Sequence, residues 1–292
     1  MTLRHMRIFI AVCKENGITK AAEALHIAQP AVSVAVKELE DYYSVKLFDR
    51  LSRRLYLTDM GRLFLERAIH IISLFDDMEK DLHLWEGTSR LRIGASITIG
   101  TDLMPRYIST FRNEHPQAHI EVTIGNSALI EKKILENGLD LALIEGVVHS
   151  QNIMSETYRK DRLAVICSPL NPLCQKDSIS MNEFLDQPLL LRETGSGTRE
   201  LFDNTLASFE RTYTPSWEST SNEALIHAAT AGLGVAVMSY MIARPHLDRG
   251  AVAELNVSNL HFERGFHIIY HKNKFLTGLA KAFMDLCRNF TM

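Results

Sequence analysis

The 292-residue sequence has few cysteines and no regular pattern among them. Its four cysteines show no CxxC pair, no zinc-site spacing and no disulfide framework. Cys167 and Cys174 are the nearest pair in sequence, and no basic residue stands beside either one to lower its pKa. We therefore expect reduced thiols in a cytoplasmic protein, with a redox role for this pair as the minor alternative.

Long apolar runs and export signals are also missing. The apolar run from Ile8 to Cys13 is shorter than the core of a signal peptide, and Lys14 follows it at once, so we expect no export signal. Residues 224–243 carry no formal charge, but glycines and polar residues interrupt them. Gly232 is typical of the residue after a helix. This stretch therefore predicts a helix followed by a strand, and no membrane span.

The chain lacks a strong excess of either charge, but its charges are unevenly distributed. The formal net charge is -3. Residues 1–56 hold nine Lys and Arg against six Asp and Glu, a net +3, whereas the remainder holds 23 against 29, a net -6. A mildly basic head permits an anionic partner without requiring one.

Catalytic signatures are missing as well. The stretch "GSGTRE" fits neither a dinucleotide-binding fingerprint nor a P-loop, and no G-x-S-x-G motif occurs. His267 and His271 lie four residues apart in a predicted strand, where side chains about 13 Å apart cannot share a metal. We predict no catalytic residue, no cofactor and no metal site. An enzyme acting in a cleft of the body stays the least favoured alternative.

The first 40 residues predict three helices. Apolar residues recur at the helical period from Leu3 to Cys13, and Gly17 ends that helix. Thr19 is a candidate cap for a second, short helix, and Pro30 fits N1, the first position, of a third. One side of the third helix is apolar at positions 31, 32, 35, 36 and 39. The opposite side is neither apolar enough for a core nor rich in charge, and consists of Gln29, Pro30, Ser33, Val34 and Lys37.

The second and third helices and the tight turn between them match a helix-turn-helix whose second helix reads double-stranded DNA. Short side chains let the helix approach base edges. Gln29 can pair with adenine, Ser33 can bond a base edge or phosphate, and Lys37 can reach phosphate or guanine. Pro30 and Val34 can contact a thymine methyl group.

The stretch "KLFDRLSRRLYLT" predicts a strand pair with a basic turn. Arg50, Arg53 and Arg54 around this turn suit the DNA backbone or the minor groove. A plain helical bundle with an exposed basic hairpin is the alternative that the pattern leaves open.

Thr58 and Asp59 begin a long predicted helix with a heptad seam. Apolar residues follow at alternating steps of four and three, namely Phe64, Ala68, Ile71, Phe75, Met78, Leu82 and Trp85. Such a seam predicts a partner helix, and hence a homodimer. Packing of the helix on the chain's own body is the alternative.

After the hinge-like Glu86–Ser89, strands alternate with helices, which predicts α/β structure with parallel strands. The pattern occurs twice, so we expect two α/β lobes with a cleft at the carboxyl ends of their strands. Strands are predicted near 153–158 and 163–167, and a final helix over 276–287 is expected to pack on the first lobe.

Hydroxyl and amide side chains follow these strands in both lobes. Such groups at helix N-termini can bind an anion, although capping the helix is an equally common role for them. The strand-ending Glu145 joins the same rim, so the candidate effector-binding residues are Ser96, Thr98, Asn126, Glu145, Thr194, Ser196 and Thr198.

The stretch "AAEALHIAQPAVSVAVKELEDYYSVKLFDR" followed by "LYLTDMG" resembles the winged helix-turn-helix of LysR-type transcriptional regulators. Ala28 stands where that family usually has serine, and Tyr43 and Ser44 replace its usual Leu-Gly. The resemblance implies a recognition helix after the QP pair, a dimerising long helix and a sensor resembling periplasmic binding proteins, with its effector between two lobes.

The expected domains are 1–58, a winged helix-turn-helix; 59–88, a linker helix and hinge; and 89–292, an effector-binding domain. Lobe I is expected over about 89–161 and 266–292, and lobe II over about 162–265. The predicted function is a transcriptional regulator that acts as a dimer or tetramer and is controlled by a small anionic effector. A solute-binding protein without a regulatory role is the alternative.

Overall fold

The computed structural model describes residues 1–51, 54–83 and 90–291, without the side chains of residues 50, 51, 54 and 80–83. The chain divides into two compact units. Residues 1–88 make up most of the first unit, and residues 89–134 and 138–292 form the second. Among the described residues, no helix is both long enough and apolar enough to cross a membrane.

The first unit is a winged helix-turn-helix followed by a long helix, as the sequence predicts. Its elements in chain order are α1 (Leu3–Glu15), α2 (Ile18–Ala24), α3 (Gln29–Tyr43), β1 (Phe48–Leu51), β2 (Arg54–Leu57) and α4 (Asp59–His83). Asn16 and Ser44 end α1 and α3 in the left-handed conformation. Phe9, Val12, Val32 and Leu39 lie in the core between these helices.

Two helix starts differ from the sequence expectation. Helix α3 begins at Gln29, one residue before Pro30, and its cap residue Ala28 offers no side-chain hydrogen bond. Helix α2 begins at Ile18, so Thr19 lies inside the helix and does not cap it. The extended residue Gly17 precedes α2 in its place.

The wing is fixed to α3 by a buried carboxylate. Glu40 accepts hydrogen bonds from the backbone N–H groups of Leu47 at 2.9 Å and Phe48 at 3.2 Å. Burial opposes the ionisation of Glu40, but these bonds and a bond from Lys46 outweigh it and hold the pKa of Glu40 below its usual value. The start of β1 therefore follows the position of α3.

Helix α4 starts against the same segment. The Thr58 hydroxyl donates to the Lys46 carbonyl at 2.7 Å and accepts from the Gly61 N–H at 2.9 Å. A side chain at position 61 would place its Cβ 2.1 Å from the Leu47 carbonyl oxygen, so only glycine allows this approach. The "LTDMG" stretch thus fixes the wing to the start of α4.

The predicted heptad seam of α4 divides into two parts. Phe64 and Ala68 pack into the core of the first unit. Ile71 and Met78 are 40% and 48% exposed. The Leu82 side chain and Trp85 lie outside the described residues.

The second unit contains the predicted α/β lobes. Its first elements are β3 (Arg90–Ser96), α5 (Ile97–Asp102), α6 (Met104–Glu114), β4 (His119–Gly125), α7 (Ser127–Leu135), β5 (Leu141–Glu145) and β6 (Ile153–Cys167). A 3-10 turn at Pro172–Gln175 follows, and then α8 (Met181–Leu185), β7 (Leu189–Arg192), α9 (Gly197–Ser208), β8 (Trp217–Ser219) and α10 (Asn222–Thr230). The last elements are β9 (Val235–Ser239), α11 (Tyr240–Asp248), β10 (Ala253–Glu254), β11 (Glu263–His271) and α12 (Gly278–Asn289).

Two long strands connect the lobes. The strand order is β4-β3-β5-β11-β6-β9-β7-β8, and β10 also pairs with β6. Residues 153–162 of β6 pair antiparallel with β11, whereas residues 163–166 pair with β9. The two strands expected at 153–158 and 163–167 are therefore one continuous strand. Its first part pairs with β11 and its second part pairs with β9. We call the β4-β3-β5 side lobe I, the β9-β7-β8 side lobe II, and β11 and β6 between them the connecting strands.

Each lobe has its own apolar core. In lobe I, Leu91, Ile93 and Tyr107 pack with Phe283 of α12, which confirms that the last helix returns to the first lobe. In lobe II, β7 and β9 are covered on one face by Phe184 and Phe202 and on the other by α10. Parallel strands pair at β3/β4, β3/β5, β7/β8 and β7/β9, so the carboxyl ends of these strands carry the loops with the candidate effector residues.

Candidate nucleic-acid interface and ligand site

The outer face of α3 is open to solvent. Gln29, Pro30 and Lys37 are exposed, Val34 is 52% exposed, and Ser33 is half-buried. On the other side of the same helix, Val32, Val36 and Leu39 are at most 3% exposed. The helix is therefore anchored by one face, and its other face presents short side chains and one cation. Such a face can enter a major groove.

The wing lies on the chain directly after α3. β1 and β2 pair antiparallel, with Phe48 opposite Leu57 and the backbone of Arg50 opposite Leu55. Arg54 pairs through its backbone with Leu51, and Arg53 lies outside the described residues. The structure thus confirms the predicted strand pair, and the side chains of all three arginines lie outside the described part.

In the second unit, a buried polar network joins the two lobes. Ser96, at the end of β3, donates its hydroxyl hydrogen to the Glu145 carboxylate at the end of β5. Both residues are 1% exposed. Ser96 occupies the cap position of α5 but makes no side-chain bond to that helix. Its hydroxyl is thus a partner of Glu145 and not a helix cap. Thr98, in the first turn of α5, is also buried.

Arg264 on β11 is the centre of this network. Its guanidinium donates to the Thr198 hydroxyl of lobe II at 2.9 Å and to Asp161 of β6 at 2.8 Å. Its Nη1 atom lies 4.0 Å from the Glu145 carboxylate, and the Arg264 side chain is 3% exposed. Ser239 of β9 donates to the same Asp161 oxygen at 2.9 Å. One cation and two carboxylates are therefore brought together from both lobes and from both connecting strands.

The other candidate residues lie outside this set of contacts. Asn126 accepts a hydrogen bond from the Leu129 N–H, and Ser196 accepts one from the Arg199 N–H at 3.4 Å, so both side chains cap helices. Thr194 is exposed and stands outside the buried network. Of the seven candidates, the structure brings Ser96, Glu145 and Thr198 together around Arg264.

The lobes are in close contact at this site. A Cβ atom at Gly197 would lie 2.1 Å from the Glu145 carbonyl oxygen. The Ala128 N–H of lobe I also donates to the Gly195 carbonyl of lobe II at 3.1 Å. A cavity of about 170 Å³, lined by Gly146, Glu200 and Arg264 among others, opens on one side of the connecting strands. A wider groove of about 1080 Å³ also reaches Arg264.

Comparison with known proteins gives matches over nearly the whole chain. Residues 3–62 match the model for bacterial regulatory helix-turn-helix proteins of the lysR family, and residues 86–291 match the LysR substrate binding domain. The uncharacterized HTH-type transcriptional regulator YeiE of Escherichia coli K12 is 34% identical over 287 residues, which cover 98% of this chain and 97% of YeiE.

The chain belongs to the LysR family of transcriptional regulators. It is a DNA-binding regulator with an effector-binding domain, and its relatives are regulators and not enzymes. These matches do not favour a solute-binding protein without a regulatory role.

Solved structures show the same fold for this LysR-type regulator. Full-length OxyR from Pseudomonas aeruginosa aligns with a TM-score of 0.66 at 23% identity, covering 100% of this chain and 99% of that one. The regulatory domain of CcmR from Synechocystis PCC6803, in complex with 2-PG, aligns with a TM-score of 0.64 at 23% identity. That match covers 68% of this chain and 96% of the CcmR domain.

Sequence reasoning missed Arg264 and Asp161. They lie 103 positions apart and meet only because β11 pairs with β6, where Arg264 stands opposite Asp161. Asp161 falls in the expected gap between the strands near 153–158 and 163–167, and Arg264 just precedes the last segment expected for lobe I. The available signal was therefore a pair of opposite charges near the predicted crossings between the lobes. Glu40, which fixes the wing to α3, was also missed. A glutamate on a helix is ordinarily exposed to solvent, so the sequence gives no sign of its buried contacts.

The cysteine pair is close in space. The sulfur atoms of Cys167 and Cys174 are 3.4 Å apart as free thiols. Burial, followed by contact with Cys174, raises the pKa of Cys167 to about 12. The Cys167 thiol is therefore protonated and weakly nucleophilic near neutral pH.

Proposed function

We propose that this regulator binds a two-fold operator as a dimer, with α3 in the major groove, and that a small anionic effector between lobes I and II controls its activity. The observation that carries the proposal is the outer face of α3, on which Val34 is 52% exposed while Val32 behind it is fully buried. An apolar residue so exposed beside Gln29 and Lys37 suits contact with thymine methyl groups and base edges.

The DNA contacts divide into two classes. Gln29, Pro30, Ser33 and Val34 face base edges, and Lys37 extends to guanine or phosphate. Arg50, Arg53 and Arg54 of the wing contact the backbone or the minor groove on either side. Contacts of the first class set the choice of sequence, whereas those of the second class set affinity for all duplexes.

The dimer forms through α4. Ile71 and Met78 lie one heptad apart on the predicted seam, and both keep 40% or more of their surface exposed. Apolar residues at this spacing suit a partner helix. We propose further assembly into a tetramer, in which closure of the lobes changes the spacing of the DNA-binding heads. A cytoplasmic location follows from action on DNA.

The effector site is the interlobe network around Arg264. Supporting observations are its buried guanidinium and the hydroxyls of Ser96 and Thr198, which together suit an anionic group. Glu145 and Asp161 oppose an anion, so the ligand must displace one carboxylate. Glu145, at 4.0 Å from Arg264, is held more loosely than Asp161 at 2.8 Å. CcmR, which has this fold, was solved in complex with 2-PG.

Comparison of binding to two duplexes tests the proposal. Full-length protein is added to labelled duplex from the chain's own promoter and to a scrambled duplex of equal length at moderate salt. The proposal expects the promoter duplex to be retained more strongly than the scrambled duplex. Arg53→Ala combined with Arg54→Ala should weaken binding to both duplexes, since these residues contact phosphates. Equal retention of promoter and scrambled duplex by the unaltered protein would overturn the regulator mechanism.

A further inference from the structure

A histidine connects the two lobes outside the buried network. His149 lies in the loop between β5 and β6 of lobe I, and its imidazole is 61% exposed. Its Nδ1 atom lies 3.1 Å from Glu131 of α7, in the same lobe. Its Nε2 atom lies 2.8 Å from Glu200 of α9, in lobe II. These two carboxylates are the charged side chains that bond the imidazole among the described residues.

The Glu131 carboxylate is fixed as an acceptor. Its Oε1 atom accepts the backbone N–H groups of His149 at 2.9 Å and Ser150 at 3.0 Å. Its other oxygen faces the imidazole Nδ1 atom. Glu131 is 7% exposed, so these bonds also compensate the burial of its charge. The imidazole must therefore donate a hydrogen at Nδ1 to complete the site.

The bond to lobe II then requires a second hydrogen on the same ring. A neutral imidazole has one N–H group and one lone pair, whereas the imidazolium donates from both nitrogens. With neutral His149, either Nδ1 or Nε2 would direct its lone pair at a carboxylate oxygen about 3 Å away. The hydrogen bonds to Glu131 and then to Glu200 raise the pKa of His149 above its ordinary value.

We propose that closure of the two lobes takes up a proton at His149, because the contact between His149 and Glu200 forms only with the imidazolium. Opening the lobes removes Glu200 and leaves His149 beside Glu131 alone. The open form therefore binds this proton less tightly than the closed form.

The direction of the pH dependence follows from the raised pKa. The contact contributes to closure fully at a pH below the pKa of His149 in the open form, and the contribution is lost as the pH rises through the pKa of the closed form. Each unit of difference between these two pKa values changes the ratio of closed to open molecules tenfold. Acidification through the neutral range thus favours the closed form.

The contact also lies beside the interlobe gap. Glu200, Gly146 and Val147 all line the cavity of about 170 Å³ that reaches Arg264. A closed His149–Glu200 contact therefore restricts access to the network from this side. A pH effect on effector binding rests on the proposed effector site, whereas proton uptake on closure does not.

Histidine titration by NMR tests the proton site in the full-length protein. With ¹³Cε1-labelled histidine, the His149 signal is assigned by its absence in His149→Gln. The expected result is a His149 pKa above about 6.5 that falls in Glu200→Gln. Glu223→Gln is the matched control, because Glu223 faces His227 at 3.7 Å within lobe II. A His149 pKa that is the same in the wild type and in Glu200→Gln would overturn the proposal.

Pulsed EPR tests the coupling to closure. Spin labels at Lys281→Cys on α12 and Asn182→Cys on α8 report the distance between lobes, in a background with Cys13→Ser and Cys174→Ser. The short-distance population should be larger at low than at high pH, and the dependence should vanish in Glu200→Gln. In the labelled protein that keeps His149 and Glu200, a distance distribution that does not change with pH would contradict proton-linked closure. Failure of all anions to bind would count against the proposed effector and leave this result unaffected.

Discussion

Single residues on α3 divide cleanly into those that hold the fold and those left for a partner. Val32 and Val36 are buried in the core of the first unit, while Gln29 and Lys37 on the same helix are exposed. The chain thus keeps an amide and an ammonium free on a helix that is otherwise anchored. At this scale, the account makes one prediction about sequence choice and one about stability.

Gln29→Ala should relax sequence selectivity more than it weakens overall binding. Loss of a bidentate amide contact to adenine costs about 1–3 kcal/mol of discrimination at one base pair. Binding constants for the operator and for single-base variants, measured at one salt concentration, give this number. If the variant keeps the full preference of the wild type at every position, Gln29 does not read a base.

Glu40→Gln should destabilise the first unit by about 1–3 kcal/mol, because an amide accepts the Leu47 and Phe48 hydrogen bonds less well than a carboxylate does. The lowered pKa of Glu40 fixes the sign of the pH effect. Its contribution is present above about pH 4.3, the ordinary pKa of glutamate, and is lost as the pH falls through the lowered value.

Thermal unfolding from pH 3 to pH 7 measures the effect of Glu40. Glu38→Gln is the control on the same helix, since Glu38 is 59% exposed and pairs with His5. The Glu40 variant should lose stability at neutral pH and show a shallower acid limb, whereas the control should change little. Equal behaviour of both variants would refute the anchoring role of Glu40.

At the scale of elements, α4 shows how one seam serves two purposes. Phe64 packs against Phe9 inside the first unit, with ring centroids 5.0 Å apart. Beyond Ala68 the seam continues with Ile71 and Met78, which are exposed on this chain. The first turns of α4 therefore hold the head, and in the proposed dimer the following turns contact a second copy.

If the proposed dimer forms through α4, Ile71→Glu combined with Met78→Glu should convert it to monomer. Facing carboxylates in a heptad seam repel each other and lose the burial of two apolar side chains, each worth about 1.5–3 kcal/mol. Sedimentation velocity gives the mass. Glu79→Gln, which changes an exposed residue off the predicted seam, should leave the dimer intact. A dimer that survives both glutamate substitutions would place the interface elsewhere.

The sequence predicts elements well where the pattern is local. It predicts contacts poorly where they join residues that are far apart in the chain. The helical period around Val32 and the turn at Asn16–Gly17 are local, and both correspond to observed elements. The expected break between 158 and 163 is absent, because β6 continues from its pairing with β11 to its pairing with β9. Pairing of Arg264 with Asp161 depends on the register of β11, which no stretch of sequence specifies by itself.

At the scale of the whole molecule, control requires that the effector change the balance between open and closed lobes. In the proposed effector site, the polar network would supply the means, since Ser96 and Glu145 belong to lobe I, Thr198 and Ser239 belong to lobe II, and Arg264 lies on a connecting strand. A ligand that replaces Glu145 at Arg264 would bind most strongly when both lobes contribute. Its binding energy would then favour closure.

Glu145→Gln should raise the affinity for small anions, because it removes one of the two carboxylates that oppose them. Arg264→Met should abolish anion binding, and Arg264→Lys should keep part of it if the buried charge suffices. Thermal shift of the full chain against a panel of small anions is the measurement, and an anion at 100 times its Kd stabilises by about 2.7 kcal/mol. No shift by any anion in either the wild type or Glu145→Gln would contradict an anionic effector.

The central claim is that the outer face of α3 reads base edges in the major groove. The most direct test replaces single adenines of the operator with 7-deazaadenine, which removes only the N7 acceptor that the major groove presents. At one adenine in each half-site, the wild type should lose affinity by about 1–3 kcal/mol, and Gln29→Ala should lose nothing further. Equal affinity of the wild type for modified and unmodified duplexes at every adenine would contradict the account.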